Sequence, residues 1–254
     1  MLQQTQVDRV VPAFEAFVER FPSFEVLAGT PRGDVIRAWA GLGYNRRAVH
    51  LHQLAKAVVE RFGGALPSDR KTLLELPGVG PYTAGAILSL AFHHDEPAMD
   101  TNVRRVIGRY VEESQPSVIG DVARSLIPPG RASDWNQALM DLGATICLSG
   151  SPRCLVCPIR EGCRSAGRVQ PRRRGIRQEP PFEHTMRYYR GRFLDELRAL
   201  PADTSAPLAE LTTRLAASGV AEPPAGWETV GRDLARDGLA KIDESSDTLG
   251  VALA

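Results

Sequence analysis

No stretch of this 254-residue sequence approaches the ~20 consecutive apolar residues that a membrane-spanning helix requires. The opening residues, MLQQTQVDRV, lack the basic start and short apolar core of a secretory leader. Both absences point to an intracellular, cytoplasmic protein with no membrane partner. Charge imbalance is also missing: the net charge is +1, which alone argues neither for nor against a polyanion. Lysine is scarce, with only Lys56, Lys71 and Lys241, so readily deprotonated amines are few. No strand-like alternation of useful length occurs in the first 165 residues, and no internal repeat is visible.

The same segment instead shows helical periodicity. Val7, Val10, Val11, Phe14, Phe17 and Val18 recur at helical spacing, as do Val35, Ile36, Trp39 and Leu42, and then Leu51, Leu54, Val58 and Val59. FPSF, AGTPRG and FGGALPSD punctuate these stripes with glycine and proline. The 168–184 stretch, RVQPRRRGIRQEPPFEH, is rich in Arg and Pro without an apolar period and reads as a basic linker. Beyond it, YYRGRFLDELRAL, LAELTTRLAAS and WETVGRDLARDGL give three amphipathic helices, and LAKIDESSDTLGVALA a strand, a turn and a strand. That order predicts a winged-helix-like α+β module over 185–254. Residues 191–254 carry 6 basic and 11 acidic side chains against 25 and 19 in residues 1–190. The acidic tail suits packing on a partner domain better than direct contact with phosphate.

Four cysteines, Cys147, Cys154, Cys157 and Cys163, fall within CLSGSPRCLVCPIREGC at intervals x6, x2 and x5. Disulfides are disfavoured inside cells, which leaves metal or cluster ligation. A structural zinc site usually shows two C-x2-C pairs and here there is one, so a [4Fe–4S] cluster is preferred to zinc or to free thiols. Pro158 keeps the loop from becoming helical.

LLELPGVGPYTAGAILSLA, residues 73–91, is a second strong signal. An apolar helix end meets a Gly-rich turn, and Pro81 opens the next helix, where its missing N–H costs nothing. Exposed N–H groups at such a turn attract phosphate. This is the helix-hairpin-helix pattern, a sequence-independent grip on the DNA backbone, with Gly78, Val79, Gly80 and Thr83 as its contact residues. Next, MDTNVRRV places Asp100 and Asn102 before a helical stripe of Val103, Val106 and Ile107. Alone, Asp100 reads as a helix cap. Between a DNA-gripping hairpin and a four-cysteine loop, it reads as a functional carboxylate.

Together these motifs resemble the helix-hairpin-helix DNA glycosylases with a C-terminal iron–sulfur loop, and among them the A/G-specific adenine DNA glycosylases of the MutY type. The resemblance spans residues 1 to about 165. It rests on MLQQTQV, WAGLGYNRRAVHLH, LPGVGPYTAGAI, MDTNVRRV, NQALMDLGATIC and the cysteine loop. It implies a mainly α glycosylase domain over 1–167 that includes a [4Fe–4S] loop at 147–163. The implied partner is duplex DNA containing A:8-oxoguanine or A:G mispairs, bound by a monomer that is nucleoid-associated in a bacterium or archaeon. Asp100 matches the aspartate that stabilises the oxocarbenium-like sugar as the adenine bond breaks, and Asn102 the residue that orients it. Tyr82 occupies the slot where endonuclease III relatives carry a lysine nucleophile, and a phenol forms no Schiff base. Gln4 matches a residue wedged into the base stack, and Tyr44 an aromatic inserted at the mispair.

The sequence departs from the family in three places. A winged-helix-like module stands where many members carry a Nudix-like domain that helps read 8-oxoguanine. Asp-Thr-Asn replaces the usual Asp-Gly-Asn. In the family a Glu two residues before the position of Met1 protonates the departing adenine, a contribution typically worth ~10²–10⁴-fold in rate. The expectation is that the true start lies upstream, that the chain as given releases little adenine, and that an upstream extension restores the Glu. Two alternatives compete with the adenine reading: a thymine or uracil mismatch glycosylase, and a catalytically impaired DNA-binding remnant.

Overall fold

The computed structural model describes residues 1–2, 5–169, 180–244 and 249–254. Gln4, most of the basic linker (170–179) and the turn of the C-terminal hairpin (245–248) lie outside them. The chain divides into two compact units, one formed by residues 1–65 together with 178–254 and the other by 66–177. Among the described residues, no helix is long and apolar enough to cross a membrane.

The first unit begins with α1 (Val7–Arg20), α2 (Phe24–Gly29), α3 (Arg32–Ala38) and α4 (Arg46–Phe62). Ser23 caps α2 by accepting from the Val26 N–H, and Gly63 ends α4 in a left-handed conformation. The apolar residues of α1 form two stripes. Val10 and Phe17 join Phe21, Leu27, Val35, Trp39 and Leu42 in a core. Val7, Val11, Phe14 and Val18 are one helical step away and remain exposed. The sequence stripe thus names more core residues than one face of a helix can bury.

The same unit continues with α10 (Met186–Ala199), β1 (Ser205–Pro207), α11 (Leu208–Ala217), α12 (Trp227–Arg236), β2 (Ala240–Asp243) and β3 (Gly250–Leu253). The strands form one antiparallel sheet in the order β1-β3-β2, with Ala206 opposite Val251 and Val251 opposite Ile242. This is the winged-helix-like order expected from the sequence, with β1 added. Phe193, Leu194, Leu197, Leu211, Leu215, Trp227, Val230 and Leu234 build its core, and Ile36 of α3 and Val49 of α4 belong to the same cluster. The module therefore shares a core with the N-terminal helices and is not a free appendage.

The second unit holds α5 (Arg70–Leu74), α6 (Pro81–Leu90), α7 (Thr101–Val111), α8 (Pro116–Ser125) and α9 (Ala132–Thr145), followed by the cysteine segment. Asp69 caps α5 from its side chain, and α6 and α8 each open on a proline. Met99, Val103, Ile107, Ile119 and Ala123 form a core between α7 and α8.

Candidate active site

The hairpin between α5 and α6 is sealed from below. Leu73, Leu76 and Val79 are buried, and the Val79 N–H donates to the Leu76 carbonyl at 3.1 Å. Gly78 has a φ of +75°, which a side chain would strain. Gly80 occupies the N-cap position of α6 and offers no side chain to cap it, so the first-turn N–H groups at Tyr82 and Thr83 are left for solvent or a ligand. Thr83 is half-buried.

Asp100 lies at the N-cap of α7. One carboxylate oxygen, Oδ1, accepts from the Val103 N–H at 2.6 Å, and Oδ2 accepts from Asn102 Nδ2 at 3.2 Å. The capping geometry and the Asp100–Asn102 pairing coexist: one oxygen anchors the carboxylate and the other faces Asn102. Asn102 is fixed in turn. Its Oδ1 accepts from Arg105 Nη2 at 2.7 Å, and Arg105 also donates to the Gly143 carbonyl at 2.6 Å and to the Cys147 carbonyl at 2.8 Å. Gly143 of α9 lies so close to Asn102 that an added Cβ would stand 2.6 Å from Asn102 Cβ and 3.1 Å from its Cα. The backbone entering the site, Pro97 to Met99, is buried. Asn136, fully buried, accepts from the Ala98 N–H at 2.8 Å and donates to Ser89 Oγ and the Glu96 carbonyl, both at 3.0 Å.

Tyr82, the second residue of α6, is half-buried, with its hydroxyl 3.9 Å from Met140 Sδ. Burial, and after it the charge of Asp100, push the phenol above its ordinary value of 10.0. It stays protonated and neutral across the physiological range.

The four cysteines line one cavity, walled by Val106, Leu142 and Ile146 and bordered by Arg109. All four are free and half-buried. Burial raises the Cys163 thiol above its ordinary value, and the fields of Cys147, Cys154 and Cys157 add to that. Arg109 Nη1 donates to Cys147 Sγ at 3.3 Å and to the Leu148 carbonyl at 2.8 Å. Among the described residues, no group of three His, Cys, Asp or Glu side chains is drawn together as a single metal ion requires. A zinc ion needs its sulfurs at about 2.3 Å from one centre. An iron–sulfur cube takes one thiolate on each of four irons and so accepts a wider set, and four thiols around one apolar-walled cavity fit it in kind.

Tyr44 belongs to the first unit. It follows the glycines of WAGLGY, is 47% exposed, and has a φ of +46°, unusual for a side chain of its size. Arg47 ties this loop together. It donates to the Leu42 carbonyl at 3.3 Å, to Thr5 Oγ1 at 3.2 Å and to the Met1 carbonyl at 3.1 Å, and its guanidinium lies over the Trp39 and Tyr44 rings. Burial lowers its pKa from the ordinary guanidinium value, but an arginine remains charged.

The second unit therefore holds Asp100, Asn102, the hairpin and all four cysteines, with Asp100 and Asn102 in direct contact; Tyr44 belongs to the first unit. Sequence reasoning overlooked Asn136, Arg105, Arg109 and Arg47. An arginine in an amphipathic helix reads as a solvated residue, and only NQALMDLGATIC, as a block, pointed towards Asn136 and Gly143.

Residues 1–118 match the model of the HhH-GPD superfamily of base excision DNA repair proteins. An adenine DNA glycosylase of Mycolicibacterium smegmatis is 40% identical over 203 residues, covering 78% of this chain and 69% of that protein. The Mycobacterium tuberculosis adenine DNA glycosylase is 42% identical over 208 residues, 78% of this chain and 68% of the relative. The human adenine DNA glycosylase is 41% identical over 178 residues, which are 67% of this chain but only 33% of the human protein. Among solved structures, a thermostable thymine-DNA glycosylase superposes with a TM-score of 0.62 at 32% identity, over 66% of this chain and 81% of its own. Endonuclease III in a non-covalent DNA complex gives 0.57 at 24% identity, over 66% and 80%, and speaks for the fold alone.

Proposed function

This chain belongs to the adenine DNA glycosylases of the HhH-GPD superfamily, and we propose that it hydrolyses the N-glycosidic bond of adenine mispaired with 8-oxoguanine or guanine in duplex DNA. The observation that carries the reading is the carboxylate of Asp100, anchored through one oxygen and oriented by Asn102 through the other. As the bond to adenine breaks, positive charge grows on the sugar. A fixed anion beside it stabilises that charge without reorganising. Asn102, Arg105 and the tight fit of Gly143 keep the carboxylate from turning away. Tyr82, protonated and without an amine, supplies neither a Schiff base nor a phenolate, so the sugar–phosphate backbone stays intact.

The turn through Gly78, Val79, Gly80 and Thr83 takes a DNA phosphate on the open N-terminus of α6. Tyr44 enters the stack at the mispair and Gln4 fills the space left by the extruded base. Cys147, Cys154, Cys157 and Cys163 hold a [4Fe–4S] cluster, which serves to fix the loop that Arg105 and Arg109 lean upon. The enzyme acts as a cytoplasmic monomer on DNA.

The test is base release under single-turnover conditions from A:8-oxoguanine, A:G and T:G duplexes. Whatever its yield, the released base is expected to be adenine, from the first two duplexes only, with strands that break only after alkali. Release of thymine or uracil in place of adenine overturns the reading.

A further inference from the structure

The loop bearing Tyr44 has a second set of anchors, and they come from the C-terminal module. A tyrosine at positive φ persists only where its surroundings over-determine it. Arg47 supplies one cation over the ring, 5.7 Å from its centroid. The other is Arg187, in the first turn of α10, at 5.5 Å. The next residue, Asn45, is held from the same helix: its Oδ1 accepts from Arg198 Nη2 at 2.8 Å. Arg198 is only 12% exposed, pairs with Asp195 at 3.0 Å and donates to the Ile36 carbonyl at 3.3 Å. In return, Arg37 of α3 donates to the Arg198 and Leu200 carbonyls at 3.4 and 3.0 Å. A further pair, Arg46 with Asp237 at 3.4 Å, ties the start of α4 to the end of α12. The module thus grips both the aromatic ring and the residue after it.

We propose that Arg187 and Arg198 are positioning residues for Tyr44, through which the C-terminal module sets how well the enzyme tells a mispair from a matched pair. The inference rests on the reading of Tyr44 as the ring inserted at the mispair. A ring presented in one direction before DNA arrives has less freedom to lose on insertion, and the saving appears as selectivity for the site where insertion occurs. This also gives a task to a module too acidic to favour phosphate: it acts on DNA through the loop it braces.

Fluorescence anisotropy with the full chain measures the ratio of Kd values for A:T and A:8-oxoguanine duplexes. Tyr44→Ala is expected to erase most of that ratio. Arg187→Ala and Asn45→Ala, which keep the buried Arg198 in place, are each expected to lower it by about two- to fivefold. Matched-duplex binding and the melting temperature stay at parent values, and Arg187→Lys restores part of the loss. In the Tyr44→Ala background, Arg187→Ala adds nothing further. An equal loss on both duplexes, or an undiminished loss without the ring, makes Arg187 a simple phosphate contact and overturns the proposal. Parent ratios in Arg187→Ala and Asn45→Ala, with a collapsed ratio in Tyr44→Ala, remove the positioning role alone. A parent ratio in Tyr44→Ala removes the mispair reading, and this inference with it.

Discussion

Replacing Asn136 by alanine tests whether the approach to Asp100 is held as the structure indicates. The side chain is fully buried and makes three hydrogen bonds, to the Ala98 N–H, Ser89 Oγ and the Glu96 carbonyl. Each is worth about 1 kcal/mol net, and a buried N–H left without an acceptor costs a further ~1–3 kcal/mol. Alanine favours the helix over asparagine by only ~0.6 kcal/mol, too little to offset this. The expected loss is about 3–5 kcal/mol, a large share of the ~5–15 kcal/mol that holds a typical domain. Urea unfolding should show a lower midpoint at unchanged slope, and hydrogen exchange should show the Ala98 amide losing protection. Base release should fall more than duplex binding, because the freed segment leads straight into Asp100. A loss below about 1 kcal/mol with the Ala98 amide still protected would refute the reasoning, since Asn136 would then not be the partner that matters.

Asp100→Asn should abolish base release while leaving duplex binding nearly intact, as binding rests on phosphate contacts elsewhere; a large loss of affinity in a binding titration would assign Asp100 the capping role alone. Borohydride should trap no covalent adduct of abasic DNA on α6, and peptide mapping of an adduct to Tyr82 would contradict the assignment. Anaerobically purified protein should be brown, and Cys154→Ser should lose colour and DNA affinity together, read by visible absorption and iron analysis; stoichiometric zinc without iron would exclude the cluster. His52 is 1% exposed and its pKa is lowered from 6.5 by burial, then by Lys56. The unfolded chain therefore takes up the proton first, so stability is full above that value and falls as pH drops below it until the folded imidazole titrates. Melting temperatures between about pH 7.5 and 5.5 should show this slope, and His52→Gln should flatten it.

Periodicity and punctuation made most of the helices legible. Pro81 after the Gly-rich turn placed the start of α6, and Asp100 before Val103 placed the start of α7, because caps and N1 prolines are local chemistry. The three helices and the hairpin of the C-terminal module were readable for the same reason. β1 was not, since three residues ending in Pro207 carry no alternation to detect. The shared core of Ile36 and Val49 with the module was invisible too: either residue fits a helical stripe whichever partner buries it. Around the site, the residue types at Asp100, Asn102 and the cysteines were visible as motifs. Their supports were not, because Asn136 and Arg105 act across 38 to 47 and 38 to 42 residues of chain, respectively, and such pairings leave no short-range trace.

The first unit is assembled from both flanks of the chain, with the 66–177 unit inserted between them. Arg198 meets Asn45 across 153 residues and Arg37 meets Leu200 across 163. Contacts of that separation form late, since the ends of a long loop must first be brought together. During synthesis the inserted unit, whose contacts are nearer in sequence, can fold while α1 to α4 still expose Ile36 and Val49. The faces bearing Ile36 and Val49 gain their partners only once α10 and β3 have been made. The expected folding order therefore runs from the middle of the chain outward, with the hairpin and Asp100 formed before the loop bearing Tyr44 is braced.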